Sequence, residues 1–499
     1  MIKAILLSAL ALNVGMLLGR FSGFAREAVL ASSLGVSSSA DVAVLMLSIP
    51  DLLVNILVGG GLAAALIPQF SERASQSARA LLFQSLLVFV AVFAFVALVL
   101  MLNAETLVML VAPGFEQEQA SLAAYGLAVV VWLIPLTVAS GVIAAYLNAH
   151  NHFVLVALGT LILNMVIILG LLIGRYADNM MTILSVFILL GGGVRLILQY
   201  LHSCKIEGGP VPAVKPWLLD RKIIVSYLQV AGAGSLLLCF PVIARAFASS
   251  LGEGGVAQIS YAVKLVELPL AVAVTFLSVV FFPRMSKAFV EDQGLYIELA
   301  TWGCRITIFL SLIATASFIP IAEPVVQLVY GYGAMDAQAV KKVAELFAIG
   351  ILGLVFMGLS SFVMAIFNAR KDTRTPLVIN VLALALLVAL LLMGWGQSLK
   401  GIMFSLVLSY VFSGFLSVMV LVVKCKEIRE ALSSFIYIFF MFVPPLGVFV
   451  LLPKILPNSG YALWNLLVAF GVAVLFCVSV AFLVFLMRKK GYGEKGERC

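Results

Sequence analysis

Nine ionisable side chains stand inside long apolar runs of this chain: Arg20, Arg26, Arg195, Arg245 and Lys264 against Glu27, Asp41, Asp51 and Glu267. A charge at the centre of a membrane helix costs about 2.5–3.5 kcal/mol even on translocon scales, so those retained face a polar cavity or a partner. Arg20 and Glu27 are seven apart and nearly share a helical face, with Arg26 about 100° away from Glu27. Two guanidinium groups and a carboxylate along one side of a helix make a cationic wall for an anionic head group, because arginine matches phosphate in a planar, bidentate way. The alternative is that Arg20 pairs with an acid of the next helix or that these residues snorkel to an interface. Asp41 follows Ser37-Ser38-Ser39, which is also the chemistry of a helix start with an acid in its first turn. Asp51 lies mid-span behind Pro50, where a kink frees polar backbone, and Gly59-Gly60-Gly61 then offers either a bending point or a packing cluster. Further on, Lys264 and Glu267 are three apart with Pro269 behind them. They neutralise each other, or Lys264 supplies a positive charge opposite Arg20 and Arg26. Arg245 is a further candidate for the same cavity, whereas Arg195 lies near a loop and reads as a snorkelling residue.

The elements that must hold these groups follow from composition. Of 499 residues 63% are apolar and 11% charged, with a mean hydropathy of +1.18, whereas soluble domains carry roughly a quarter charged residues. A soluble enzyme, a secreted disulfide scaffold and a disordered chain are thereby excluded. Apolar runs of about 20 residues recur from end to end, as membrane helices require, and the alternating segments of about ten residues that a β-barrel requires are absent. Breaks at glycine, proline and charge clusters predict an all-α polytopic membrane protein with fourteen spans, at 4–33, 38–68, 78–103, 119–148, 154–174, 179–203, 222–250, 255–288, 299–320, 336–368, 375–395, 399–423, 431–453 and 461–487. The first run, Ile5 to Leu18, resembles a signal-peptide core but has no Ala-x-Ala site after it, so it is expected to stay as a helix. With both termini on the cytoplasmic side, 21 of the 31 basic residues fall there, which the positive-inside rule favours. The net charge of +8 is thus a matter of membrane orientation, and nucleic acid is not an expected partner.

Three segments recur at nearly one offset. Ala31-Ser32-Ser33-Leu34-Gly35 returns as Ala248-Ser249-Ser250-Leu251-Gly252, Pro68-Gln69-Phe70-Ser71 as Pro283-Arg284-Met285-Ser286, and Leu147-Asn148-Ala149-His150 as Phe367-Asn368-Ala369-Arg370. Two six-helix lobes are expected, over 1–205 and 222–424, joined by a basic cytoplasmic linker at 206–221, with a helix pair and basic tail over 425–499. Parallel halves of this kind suit a transporter with a central cavity and alternating access. The six cysteines have no metal or redox spacing and read as core fillers. His150, His152 and His202 lie at helix ends without ligand spacing, so neither an enzyme centre nor a metal site is expected, and no repeated filter suggests a channel.

The stretch Gly19-Arg20-Phe21-Ser22-Gly23-Phe24-Ala25-Arg26-Glu27, followed by Ala40-Asp41, Ile49-Pro50-Asp51-Leu52-Leu53 and Ile67-Pro68, resembles the start of the MurJ (MviN) lipid II flippases of the MOP exporter superfamily. Ala112-Pro113-Gly114-Phe115, Tyr261-Ala262-Val263-Lys264-Leu265-Val266-Glu267-Leu268-Pro269 and Phe367 to Pro376 are similar to that family as well. The resemblance implies two six-helix lobes plus a terminal pair that forms a lipid-tail groove. It also implies transport of lipid II, an undecaprenyl-pyrophosphate-linked saccharide, from the inner to the outer leaflet of the bacterial inner membrane. The family's cavity charges map onto Arg20, Arg26, Glu27, Asp41, Lys264 and Glu267. Arg20, Arg26 and Lys264 would then bind the pyrophosphate. Departures are Val54-Asn55 in place of a pair of arginines, Gly59 in place of a glutamate, Lys264 in place of an arginine, and Asn380 alone where some relatives carry acids at a sodium site. No cofactor is expected; membrane potential or an ion gradient would supply the energy, and membrane lipids are the other partners. A flippase for another exopolysaccharide or O-antigen unit and a drug/cation antiporter of the same superfamily are the alternatives. The antiporter predicts an acid-dominated cavity.

Overall fold

In the computed structural model, residues 2–57, 61–73, 75–206, 217–221, 223–225, 227, 236–271 and 276–425 are described. Predicted spans 13 and 14, the positions Gly59 and Gly60, and most of the predicted linker lie outside them. The first half of the chain contributes α1 (Ile2–Leu34), α2 (Ser38–Leu57), α3 (Gly61–Ser71), α4 (Ser75–Leu102), α5 (Ala104–Val111), α6 (Gln117–Val130), α7 (Leu133–Ala149), α8 (Phe153–Gly174) and α9 (Met180–Ile206). Then come α10 (Cys239–Ala248), α11 (Gly255–Leu270), α12 (Phe276–Glu291), α13 (Gln293–Phe318), α14 (Ala322–Tyr330), α15 (Ala337–Gly350), α16 (Leu354–Ala369), α17 (Arg374–Leu392) and α18 (Leu399–Lys424). Among the described residues nine helices are long and apolar enough to cross a membrane. The chain is a multi-pass membrane protein.

The sequence repeat is a repeat of structure. From α2 and α11 through α9 and α18, eight successive helices have counterparts whose starts are 215 to 221 residues apart. Pro50 inside α2 corresponds to Pro269 inside α11, and Pro68 inside α3 to Pro283 inside α12. These prolines remove backbone bonds at matching places in the two halves; residues 58–60 and 272–275, within the predicted spans 38–68 and 255–288, lie outside the described residues. Two short elements, α5 and α14, escaped the sequence reading because eight or nine residues are too few to span; they occupy matching places in the two halves.

Local chemistry sets the helix starts. Ser37 accepts the Ala40 amide at 3.2 Å, Asp292 the Leu295 amide at 3.0 Å, Asp336 the Ala339 amide at 2.6 Å and Ser398 the Gly401 amide at 3.1 Å. Each satisfies an amide that the helix itself cannot. Between α1 and α8 the packing rests on small residues: a Cβ on Gly15 would lie 2.4 Å from Ala157 Cβ, and one on Gly19 3.1 Å from Thr160 Cβ. Without a hydrophobic drive between helices in lipid, such close backbone approach is what dispersion can hold together.

Two compact units result. One contains Met1–Lys264, Val329–Val343 and Thr373–Ser409; the other contains Leu265–Leu328, Ala344–Asp372 and the chain from Tyr410. The first has a core of Phe70, Leu81, Ile134 and Tyr146, on which Leu219, Ile223 and Tyr227 also pack. The buried Gln84 carbonyl oxygen accepts the Leu218 and Leu219 amides at 2.7 and 3.2 Å, so the end of the predicted linker is fastened to α4. The second unit is built around Met285, Cys304, Phe362 and Phe367.

Candidate functional site

Within the first unit, α1 brings Arg26 and Glu27 into a buried polar cluster. Arg26 Nη2 lies 2.9 Å from Glu27 Oε1 and 3.4 Å from Asp51 Oδ2. Its other terminal nitrogen donates to Asn164 Oδ1 on α8 at 3.3 Å. The Asn164 amide nitrogen in turn donates to Ser22 Oγ at 3.0 Å and to the Gly19 carbonyl at 3.4 Å. Arg26 and Glu27 side chains are 7% and 6% exposed, whereas Asp51 is 42% exposed. The arginine therefore has one enclosed and one open carboxylate partner. Pro50 sits directly before the open one, inside α2.

Asn164 had no signal in the sequence, being a single amide in an apolar run. It is 3% exposed, and a buried amide is retained only if bonded. Gly23 packs beside it, and a Cβ there would meet its Nδ2 at an ordinary contact distance of 3.5 Å.

Asp41 holds backbone amides. Its carboxylate, on a side chain within a residue only 1% exposed, accepts the Gly254 and Ala257 amides at 2.8 and 2.7 Å. Ser37 caps α2 as the serine run suggested, which leaves Asp41 to cap α11 instead of its own helix. Around this bond the chain is closely knit. Tyr261 donates to the Gly35 carbonyl at 3.0 Å, Tyr330 donates to the Tyr261 carbonyl at 3.4 Å, and the Ala334 amide donates to Ser32 at 2.8 Å. Gly35 turns with φ +62° and has no space for a side chain, as a Cβ would lie 2.4 Å from the Ala334 carbonyl oxygen. The Tyr330 ring meets both Phe24 and Tyr261 in tilted contacts, with ring centroids 6.3 and 5.2 Å apart.

The remaining predicted residues are placed as follows. Arg20 is on the exposed part of α1, and Lys264 and Glu267 are half-buried on α11, one turn apart. Arg245 is buried on α10. Pro269 lies inside α11, and a Cβ on Gly61 would lie 3.3 Å from the Tyr227 ring. The structure thus joins Arg26, Glu27 and Asp51 in one cluster and puts Asp41 in another. The three histidines, read only as helix-end residues, include a pair: His202 Nε2 is 3.1 Å from His152 Nδ1.

An all-α bundle of repeated halves, with a buried arginine between two carboxylates, has the make-up of a membrane transporter. A family model described as lipid II flippase MurJ matches residues 30–456, and the chain belongs to that family. A lipid II flippase MurJ of Burkholderia cenocepacia is 28% identical over 385 residues, 73% of each chain. A solved structure described as lipid II flippase MurJ in an inward closed conformation aligns with a TM-score of 0.77 at 18% identity, covering 97% of this chain and 100% of that one. An inward-facing multidrug resistance MATE transporter of the MOP superfamily aligns at 0.70 and 16% identity, over 85% of this chain and 99% of its own. The superfamily fold is shared by both, and the family match favours the flippase over the antiporter.

Proposed function

We propose that this protein carries lipid II from the inner to the outer leaflet of the bacterial inner membrane by alternating access, with both termini in the cytoplasm and no chemical step on the cargo. The observation that carries the reading is the unequal pairing of Arg26. Glu27 is fixed beside it, while Asp51 is more distant, half in the open and next to Pro50 inside α2. Exchange of Asp51 for a pyrophosphate oxygen keeps the guanidinium paired throughout, which avoids the cost of an uncompensated buried charge. Arg20 and Lys264 add positive charge for the same head group. The Asp41 cap holds one end shut while the other admits cargo, and opening that end requires the carboxylate to leave the α11 amides.

Membrane potential is the proposed drive. Moving one elementary charge through 100 mV is worth about 2.3 kcal/mol, enough to reset an empty cationic carrier. Complementation in a flippase-depleted cell, scored by inner-leaflet lipid II, tests the reading. Restored growth with clearance of lipid II is expected. Accumulation that persists while the protein is present in the membrane would point to another lipid-linked saccharide.

A further inference from the structure

Arg195 belongs to neither cluster. It sits on α9 against α8, and its seat is a glycine: a Cβ on Gly159 would lie 2.9 Å from Arg195 Nε and 3.5 Å from its Cδ. Gln199, one turn on, braces the same spot, with its Nε2 3.1 Å from that position and its Oε1 accepting from Ser140. Arg195 Nε is enclosed without a hydrogen-bond partner, while the residue as a whole is half-buried. The stem is held against α8 at Gly159. Among the described residues no carboxylate pairs with it.

The surroundings point to a lipid. His152, the N-cap of α8, lies seven residues before Gly159, and His202 lies seven after Arg195, so both pairs follow one face of their helices. The seam therefore runs from the clamped arginine to the histidine pair at the helix ends, where water begins. Val154, Ile197, Leu198 and Leu201 beside it are exposed apolar side chains, and in a membrane protein such a face meets acyl chains. Lys205, near the end of α9, is exposed as well. An arginine without an acid, flanked by apolar surface and about 9 Å inside the start of α8, has to draw a negative oxygen from the bilayer itself.

We propose that the α8–α9 seam binds the phosphate of an anionic membrane phospholipid, with Arg195 as its charged donor and the His152–His202 end facing the polar head group. The site is independent of the flipped cargo. It would be tested on delipidated protein titrated with phosphatidylglycerol and followed by native mass spectrometry. Arg195→Gln should weaken binding about fivefold, the effect of one basic residue at a lipid surface. Arg195→Lys should stay within about twofold, since the charge is kept and only the planar fork is lost. Arg175→Gln, at the opposite end of α8, should bind as the parent does. Gly159→Val keeps the arginine but fills its seat, and should show the loss of Arg195→Gln in a protein that still carries the charge. Unchanged phosphatidylglycerol binding in Arg195→Gln or in Gly159→Val would overturn the proposal. So would equal retention of diacylglycerol, which lacks phosphate, or displacement of the lipid by inorganic phosphate at matched concentration.

Discussion

The Asp41 carboxylate reaches across from α2 to hold the first turn of α11, accepting the Ala257 amide at 2.7 Å. The residues are 216 apart in sequence, so one short acid joins the two repeats at the start of equivalent helices. A cap of this sort acts on a helix terminus whose free amides carry partial positive charge. In the cycle proposed above these two elements separate, and the strength of this cap would then set how readily that end opens.

Asp41→Ala should lower thermal stability in detergent by about 1–2 kcal/mol, the usual cost of a lost cap. Asp41→Asn keeps one acceptor oxygen and should lose about half as much. An impermeant maleimide should label a Ser249→Cys reporter, buried in the parent, faster in Asp41→Ala than in the parent. Equal labelling and equal melting would mean the bond closes nothing.

Asn164 is the positioning residue for Arg26. Asn164→Leu removes the acceptor for one guanidinium nitrogen and the donor to Ser22, and should slow lipid II translocation by about tenfold while the protein still folds, consistent with one charged hydrogen bond of about 1.5 kcal/mol. Asn164→Asp supplies an acceptor again and should recover most of the rate. A leucine variant as fast as the parent would remove Asn164 from the site.

The α1–α8 contact leaves no volume for side chains at Gly15. Gly15→Val should cost about 1–3 kcal/mol of stability through overpacking, read as a lower melting temperature. A neutral result would show that the helices can separate freely there.

His152 is held below its ordinary value of 6.5 by partial burial first, then by the nearby His202 and His150. A base whose folded value is depressed takes up its proton in the unfolded chain first. Stability is therefore full above pH 6.5 and declines as the pH falls from there toward the folded value. Melting temperature should fall over that window in the parent, and less so in His152→Asn. Identical profiles in both would show that the pair does not contribute.

Much of the architecture was legible because it rests on one-dimensional signals. Apolar run length marks the spans, and Ala31 to Gly35 recurring at Ala248 to Gly252 marks the repeat. The placing of Arg26 and Glu27 along one side of α1 followed from helical spacing, whereas their direct pairing was not read from it. Its bonds to Asp51 and Asn164 did not, because they depend on how α2 and α8 pack against α1. Asp41 is the clearest case of tertiary structure deciding between local options. The serine run offered it a place in the first turn of α2, yet Ser37 alone caps that helix, and a second helix terminus with unsatisfied amides took the carboxylate. Short helices such as α5 and α14 were missed because length was the criterion. Arg195 was read as snorkelling, since nothing in a sequence shows that Gly159 on another helix provides a seat.

The central claim is that the Arg26 guanidinium trades Asp51 for the pyrophosphate of the cargo. Lipid II translocation in proteoliposomes, compared between the parent, Arg26→Lys and Arg26→Gln at equal protein incorporation, tests it directly. The account predicts a loss of at least about tenfold for Arg26→Gln and an intermediate rate for Arg26→Lys, which keeps the charge but not the bidentate fork. Translocation by folded Arg26→Gln at the parent rate would contradict it.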